Sequence, residues 1–258
     1  MTRPAAHLAI SGAGTGIGKA IALRLAKTGA RLSLFARDEK RLAETARACS
    51  DMGAASVSIR GCDITKKDQV ERSFAEFARE HGPLHALVAN SGIAGVNIPG
   101  EKDRFEEIVA TNLIGNYNCL RAAQTHLAPG PEARHLIVIG SVLARIGIAY
   151  YSGYCASKAG LLGLVRSMAV ELAPENVLVN AVCPGWVDTD MAREGLDGMA
   201  AGLRMTREAA KDLAMQQVPL RRMAEPEEVA GMVAWLLSPD ARNITGQALD
   251  MNGGAYMH

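Results

Sequence analysis

Short apolar runs alternate with amphipathic stretches from one end of the chain to the other, and this rhythm is its strongest structural signal. HLAIS (7–11), RLSLFA (31–36), SVSIRG (56–61), LHALVANSG (84–92), RHLIVIGS (134–141), VLVNAVCPG (177–185) and 247–254 read as strands. Helical patterns fill the spaces between them. The first, 18–29, places Ile21, Ala22 and Leu25 on one face and stops at Gly29. Others cover 38–52, 66–80, 103–127, 151–173 and 226–238, the last with Glu227 and Glu228 in its first turn, where the helix dipole favours carboxylates. Parallel strands with a crossover helix between each pair are the simplest packing of such an alternation. The pattern predicts an α/β fold around a parallel sheet with helices on both faces.

The rhythm breaks once, over about 186–222, where glycine breaks and one short helix (206–215) are expected. A long excursion beside a compact fold is often a lid or binding loop, and a solvent-facing insertion or subunit contact is the plainer alternative. There is no internal repeat and no linker of interdomain character, and PGPEA (129–133) reads as a turn. One domain spanning 1–258 is expected.

Composition narrows the function classes. Hydrophobic residues are 48% and charged residues 21%, which suits a globular chain with a sizeable core. The 28 Lys and Arg against 27 Asp and Glu leave +1, without the basic excess of a nucleic-acid or anionic-membrane binder. The five cysteines show no C-x-x-C pair and the six histidines no metal spacing, so no disulfide framework or metal site is expected. Met1–Gly14 lacks a leader-like apolar run, and no stretch approaches the ~18 apolar residues of a membrane span. A soluble, cytoplasmic protein is expected.

Candidate chemistry begins at the first strand–helix turn, Ser11-Gly12-Ala13-Gly14-Thr15-Gly16-Ile17-Gly18. The usual G-x-G-x-x-G register fails because Ile17 stands at its last position, but the spacing Gly12…Gly16-x-Gly18 holds. Glycines there allow a tight turn and close approach of backbone to a pyrophosphate, which the free amides of a helix start can bind. A methyltransferase cofactor or a bare tight turn would use the same segment.

The second strand ends Phe35-Ala36-Arg37-Asp38. A ribose 2′-hydroxyl calls for a carboxylate at this point and a 2′-phosphate calls for a cation. Arg37 supplies the cation with a planar fork, whereas Asp38 is either a ribose acid or the N-cap of the next helix. NADP(H) is favoured, with NAD(H) the alternative. Asp63, beside Ile64, is either an acceptor for the adenine amino group or a capping turn. Asn90 can tie strand ends together, and Gly92 leaves room for a ribose.

The most informative stretch runs from Ser141 to Lys158. Tyr154 and Lys158, four apart on a helix, share a face. A nearby ammonium favours phenolate and is expected to lower the phenol pKa from about 10. Such a tyrosine exchanges a proton with a carbonyl or alcohol oxygen, which Ser141 at a strand end can polarise.

Taken together these motifs resemble the short-chain dehydrogenase/reductase family over essentially the whole length. The resemblance rests on the Gly12…Gly16-x-Gly18 turn, Asp63, Asn90-x-Gly92, Asn112, Ser141, Tyr154-x-x-x-Lys158, and Pro184-Gly185-x-Val187-x-Thr189. It implies a doubly wound Rossmann-type sheet, with Tyr154 as acid/base, Ser141 as polarising partner, and Lys158 as pKa tuner and ribose ligand. It further implies a water-mediated proton relay at Asn112 and a nicotinamide loop at 184–189. Asn90-Ser91-Gly92 departs from the more usual Asn-Ala-Gly, and Thr15 stands where some NADP-binding members carry a basic residue. Within the family the chain is similar to bacterial 3-ketoacyl and polyketide ketoreductases, which implies a carbonyl or secondary alcohol substrate, free or acyl-thioester linked. A homotetramer or homodimer built on the helices around 103–127 and 151–173 is also implied. A catalytically silent dinucleotide sensor and a methyltransferase are the rival readings. Trp186 is expected to wall the substrate site or to pack under the excursion.

Overall fold

The computed structural model describes residues 5–100 and 103–257. Met1–Pro4, on which the leader reading partly rests, and His258 lie outside them. Seven parallel strands form the sheet: β1 (His7–Ser11), β2 (Arg31–Ala36), β3 (Ser56–Gly61), β4 (Ala86–Ala89), β5 (Arg134–Ile139), β6 (Val177–Pro184) and β7 (Ala248–Met251). Their order is β3-β2-β1-β4-β5-β6-β7. The chain leaves β1 in one direction and later resumes on its other side at β4, so the carboxyl ends of β1 and β4 flank a crevice of the kind where open α/β sheets bind ligands.

Successive residues of a strand serve opposite cores, as the two-residue pleat requires. In β5, Leu136 and Val138 join Phe35, Phe74 and Leu161 on one face, while Ile137 and Ile139 join Leu34, Ile21 and Val233 on the other. Because helices cover both faces, β1, β4, β5 and β6 are buried at every residue. The first face carries α3 (Lys67–His81), α5 (Asn116–Gln124) and α6 (Ser152–Leu172). The second carries α1 (Gly16–Ala26), α2 (Glu39–Asp51) and α9 (Pro226–Leu236).

Two elements differ from the sequence reading. The expected helix 103–127 is composite: α4 (Phe105–Val109), a π-helical turn over Ala110–Gly115, then α5. The excursion holds two helices rather than one. α7 (Asp190–Leu203) runs through Gly195, Gly198 and Gly202, and α8 (Arg207–Gln216) follows. Leu196, Ala214, Met215, Val218 and Met223 form a small third core there, and Trp186 packs against it. That burial outweighs the roughly 1 kcal/mol each glycine costs a helix. None of the helices is long and apolar enough to cross a membrane, among the described residues.

Candidate active site

Glycine does necessary work in the β1–α1 turn. Gly12 and Gly16 have positive φ, 63° and 49°. A Cβ on Gly18 would collide with the Gly12 carbonyl oxygen, and one on Gly16 would come within 3.1 Å of the Thr189 methyl. Thr15, exposed, is the α1 N-cap without a side-chain bond of its own, and Ile17 sits in the first turn. The helix start therefore offers free amides beside a surface that only glycine keeps open, a cradle that fits a pyrophosphate.

The carboxyl ends of β1 and β4 are locked together. Ser11 Oγ accepts from the amides of Asn90 and Ser91, at 2.9 Å each, and Asn90 Nδ2 donates to the carbonyls of Ser11 and Gly12. Asn90 thus ties the strand ends. A Cβ on Gly92 would lie 3.2 Å from Asn112 Oδ1 and 3.7 Å from Lys158 Nζ, so this glycine sits where those two side chains meet.

At the β2 end Asp38 caps α2, accepting from the Arg41 amide at 3.1 Å. Arg37 is exposed. Arg41, one turn into α2, lies against the glycine turn, since a Cβ on Gly14 would fall 3.2 Å from Arg41 Cβ. Sequence reading gave the cationic role to Arg37 alone; the folded chain brings a second arginine to the same corner, its guanidinium 3.5 Å from Asp38 Oδ2 and 3.9 Å from Asp190 Oδ2. Asp63 accepts from both the amide and the hydroxyl of Thr65, while its own amide donates to Gln69. Burial opposes its ionisation, but the Thr65 donors and the Arg37 charge outweigh it and hold the carboxyl below its ordinary value. The buried Ile64 gives its carbonyl to Asn118 Nδ2, and its side chain fills the space that a Cβ on Gly115 would need.

Ser141 follows β5 in extended backbone, buried, its Oγ accepting from the Leu143 amide at 3.1 Å. Tyr154 in the first turn of α6 hydrogen-bonds to Ser141. Lys158, one turn on and 4% exposed, places Nζ 5.6 Å from the centre of the Tyr154 ring and donates to the Ile139 carbonyl at 2.8 Å. Phenol, hydroxyl and ammonium converge at one sheet edge. The expected acidified phenol is not found: burial pushes Tyr154 up to about 12, against the Ser141 hydrogen bond, and burial pushes Lys158 down to about 8. Desolvation disfavours both charged forms, and the ammonium is turned toward a carbonyl rather than the phenol oxygen. A protonated phenol beside a second hydroxyl can hold a carbonyl oxygen and give it a proton.

Asn112 lies in the π-turn, fully buried. Its Oδ1 accepts from the Ile93 amide, and its Nδ2 donates to the Ile93 carbonyl and to Ser157. Asn116, which sequence reading did not single out, donates through Nδ2 to the carbonyls of Asn112 (2.7 Å) and Ser91 (2.9 Å). It clamps the strand-end turn to the π-turn.

Pro184 ends β6. A Cβ on Gly185 would press on the Asn252 backbone at 2.9 Å, and Val187 is buried and bridges to Ala224. Thr189 caps α7 by accepting from the Ala192 amide. Its contact with Gly16 brings the 184–189 loop over the glycine turn.

Comparison with known proteins agrees with this geometry. A family model described as enoyl-(acyl carrier protein) reductase matches residues 12–256. The 3-oxoacyl-[acyl-carrier-protein] reductase MabA of Mycobacterium bovis is 34% identical over 96% of this chain and 92% of its own. Granaticin polyketide synthase putative ketoacyl reductase 1 of Streptomyces violaceoruber is 36% identical over 95% and 91%. Among solved structures, a variant of actinorhodin polyketide ketoreductase with NADPH superposes with a TM-score of 0.91 at 31% identity, covering 99% of both chains. NAD+-bound xylitol dehydrogenase superposes at 0.88 with 25% identity, over 96% of this chain and 98% of that one. With this sheet order, this glycine turn and these relatives, the chain belongs to the short-chain dehydrogenase/reductase family.

Proposed function

We propose that the protein is an NADPH-dependent ketoreductase acting on 3-ketoacyl thioesters. The observation that carries this reading is the convergence of Tyr154, Ser141 and Lys158 beside the Gly12–Gly18 cradle. When bound, NADPH supplies hydride from its nicotinamide ring. Ser141 donates a hydrogen bond to the substrate carbonyl oxygen, and Tyr154 gives its hydroxyl proton to that oxygen as the carbon is reduced. The raised phenol pKa suits this direction, because an acid must arrive protonated. The Lys158 ammonium stabilises the phenolate left behind and contacts the ribose, and the Asn112 segment serves a water-mediated relay, as the family resemblance implies.

On this reading Gly12, Thr15, Gly16, Ile17 and Gly18 hold the pyrophosphate, and Arg37 with Arg41 grips the 2′-phosphate. Asp63 and Ile64 border the adenine, Asn90 and Gly92 the ribose, and Pro184, Gly185, Val187 and Thr189 the nicotinamide. Asp38 caps α2 through one oxygen and pairs with Arg41 through the other, which favours NADP(H) over the NAD(H) alternative. Residues 190–216 form the lid, and the whole chain acts as one domain. Exposed Ile114 and Tyr117 beside α4–α5 and Val170 (79% exposed) on α6 favour a homotetramer or homodimer through those helices. Five unpaired cysteines suit a cytoplasmic location.

The test is reduction of acetoacetyl-N-acetylcysteamine and of a simple cyclic ketone, followed by NADPH consumption, with the crotonyl thioester as the enoyl control. Turnover of the ketones and not of the crotonyl compound is expected. NADPH-dependent saturation of the crotonyl thioester alone would overturn the proposal.

A further inference from the structure

α6 begins without a cap of its own: its N-cap position, Tyr151, makes no side-chain bond. The missing acceptor comes from 56 residues away. Asn97 Oδ1 accepts from the Gly153 amide at 2.7 Å, immediately before Tyr154. The other end of the same side chain donates from Nδ2 to Asp103 Oδ1 at 2.9 Å, and that oxygen also accepts from the Phe105 amide at the start of α4. An N–H on one side and a carboxylate on the other fix which way the amide points. The Asn97 backbone amide donates to the Tyr150 carbonyl at 2.6 Å, and Tyr150 is one of the few non-glycine residues at positive φ, 66°.

The local burial is the reverse of what side-chain polarity dictates. Asn97 is 6% exposed, while its neighbours Val96 and Ile98 are 45% and 54% exposed. Gly153 admits the arrangement, since a Cβ there would lie 3.0 Å from Asn97 Oδ1 and 3.2 Å from the Phe105 backbone. A polar residue buried between exposed apolar ones marks a place where something other than core packing is being satisfied.

We propose that Asn97 is a positioning residue for the reaction: it supplies the N-terminal cap of α6 and ties the segment after β4, and Asp103 before α4, to the turn that carries Tyr154. This rests on the role given to Tyr154 above. Asn97 touches no reacting atom. It holds the phenol's helix start, so its loss displaces the hydroxyl from the substrate oxygen while the glycine cradle, on the other side of the crevice, keeps its shape.

The experiment compares the unmodified protein with Asn97→Ala, Asn97→Asp and the double variant Asn97→Asp/Asp103→Asn. Asn97→Asp sets two carboxylates against each other, and the double variant restores the 97–103 bond with donor and acceptor exchanged and keeps an acceptor for the Gly153 amide, while the Phe105 amide loses its own. Readouts are kcat and KM for acetoacetyl-N-acetylcysteamine, the Kd for NADPH by fluorescence, and hydrogen exchange at the Gly153 amide. Both single variants are expected to lower kcat on the order of tenfold, with the NADPH Kd held within about twofold and KM little changed. The double variant should recover part of that loss, and Gly153 should exchange faster in Asn97→Ala. Unchanged kcat in the single variants, or a double variant no better than Asn97→Asp, would overturn the proposal. If the unmodified protein does not reduce the thioester, the activity assignment fails, and unaltered Gly153 exchange in Asn97→Ala would separately refute the cap.

Discussion

The ammonium nitrogen of Lys158 stands 5.6 Å from the centre of the Tyr154 ring, yet its short hydrogen bond, 2.8 Å, goes to the Ile139 carbonyl. Held this way it remains buried near neutrality and is poised to lose its proton: burial brings it down to about 8. It is charged below that pH and neutral above it. Reduction should therefore weaken as pH rises through about 8, because a neutral amine does not stabilise the developing phenolate. The pH profile of kcat/KM for NADPH reports groups of the free enzyme and checks this. A profile flat from pH 7 to about 10 would contradict the assignment.

Tyr154→Phe removes the proton donor and little else, since the ring stays in place. Turnover should fall by at least ~100-fold, while NADPH still raises the melting temperature. Steady-state kinetics beside a thermal-shift titration separates the two effects, and retained turnover would reject Tyr154 as the acid.

The corner formed by Arg37 and Arg41 predicts a cofactor switch. Arg37→Asp should lower kcat/KM for NADPH by at least about 150-fold, in line with two charge-assisted hydrogen bonds lost at about 1.5–3 kcal/mol each. Efficiency with NADH should hold or improve. An unchanged NADPH/NADH ratio in the Arg37→Asp, Arg41→Ala double variant would remove the 2′-phosphate from this corner.

Two buried histidines at the opposite edge of the sheet make stability depend on acid. Burial pushes His7 down to about 4, against its bond to the Gly82 carbonyl, and burial does the same to His135. A folded pKa below the unfolded value of 6.5 means that the unfolded chain binds the extra proton. Their contribution is complete above about 6.5 and is lost as pH falls toward 4. Each shift corresponds to roughly 3 kcal/mol, so urea midpoints should drop steeply between pH 6.5 and 4.5. Substituting His135 by Leu should flatten part of that slope.

Much of the fold was legible because it rests on periodicity. The β1, β2 and β3 boundaries match the apolar runs, and Gly12, Gly16 and Gly18 declare the cradle through spacing alone. Ser141, Tyr154 and Lys158 were readable as a set because a strand end and one helix face bring them together. α7 was not, since three glycines suppress its local signal and the packing of Leu196 and Ala200 restores it from outside the segment. Arg41, Asn116 and Asn97 act across 25 to 56 positions or through an adjoining turn, and no local pattern reports such a partner. The ionisation of Tyr154 escaped for a related reason: residue spacing gives proximity to Lys158 but not the desolvation that governs both groups.

The wide turn at Ala110–Gly115 carries one residue more than a regular helix needs. Twelve steps separate Ile108 from Leu120, which an even helix would set about 120° apart. Because the turn absorbs one residue, the two fully buried side chains face inward together. Winding the same residues evenly would swing α5 by about 100°, so every inward face beyond this point depends on that local slack.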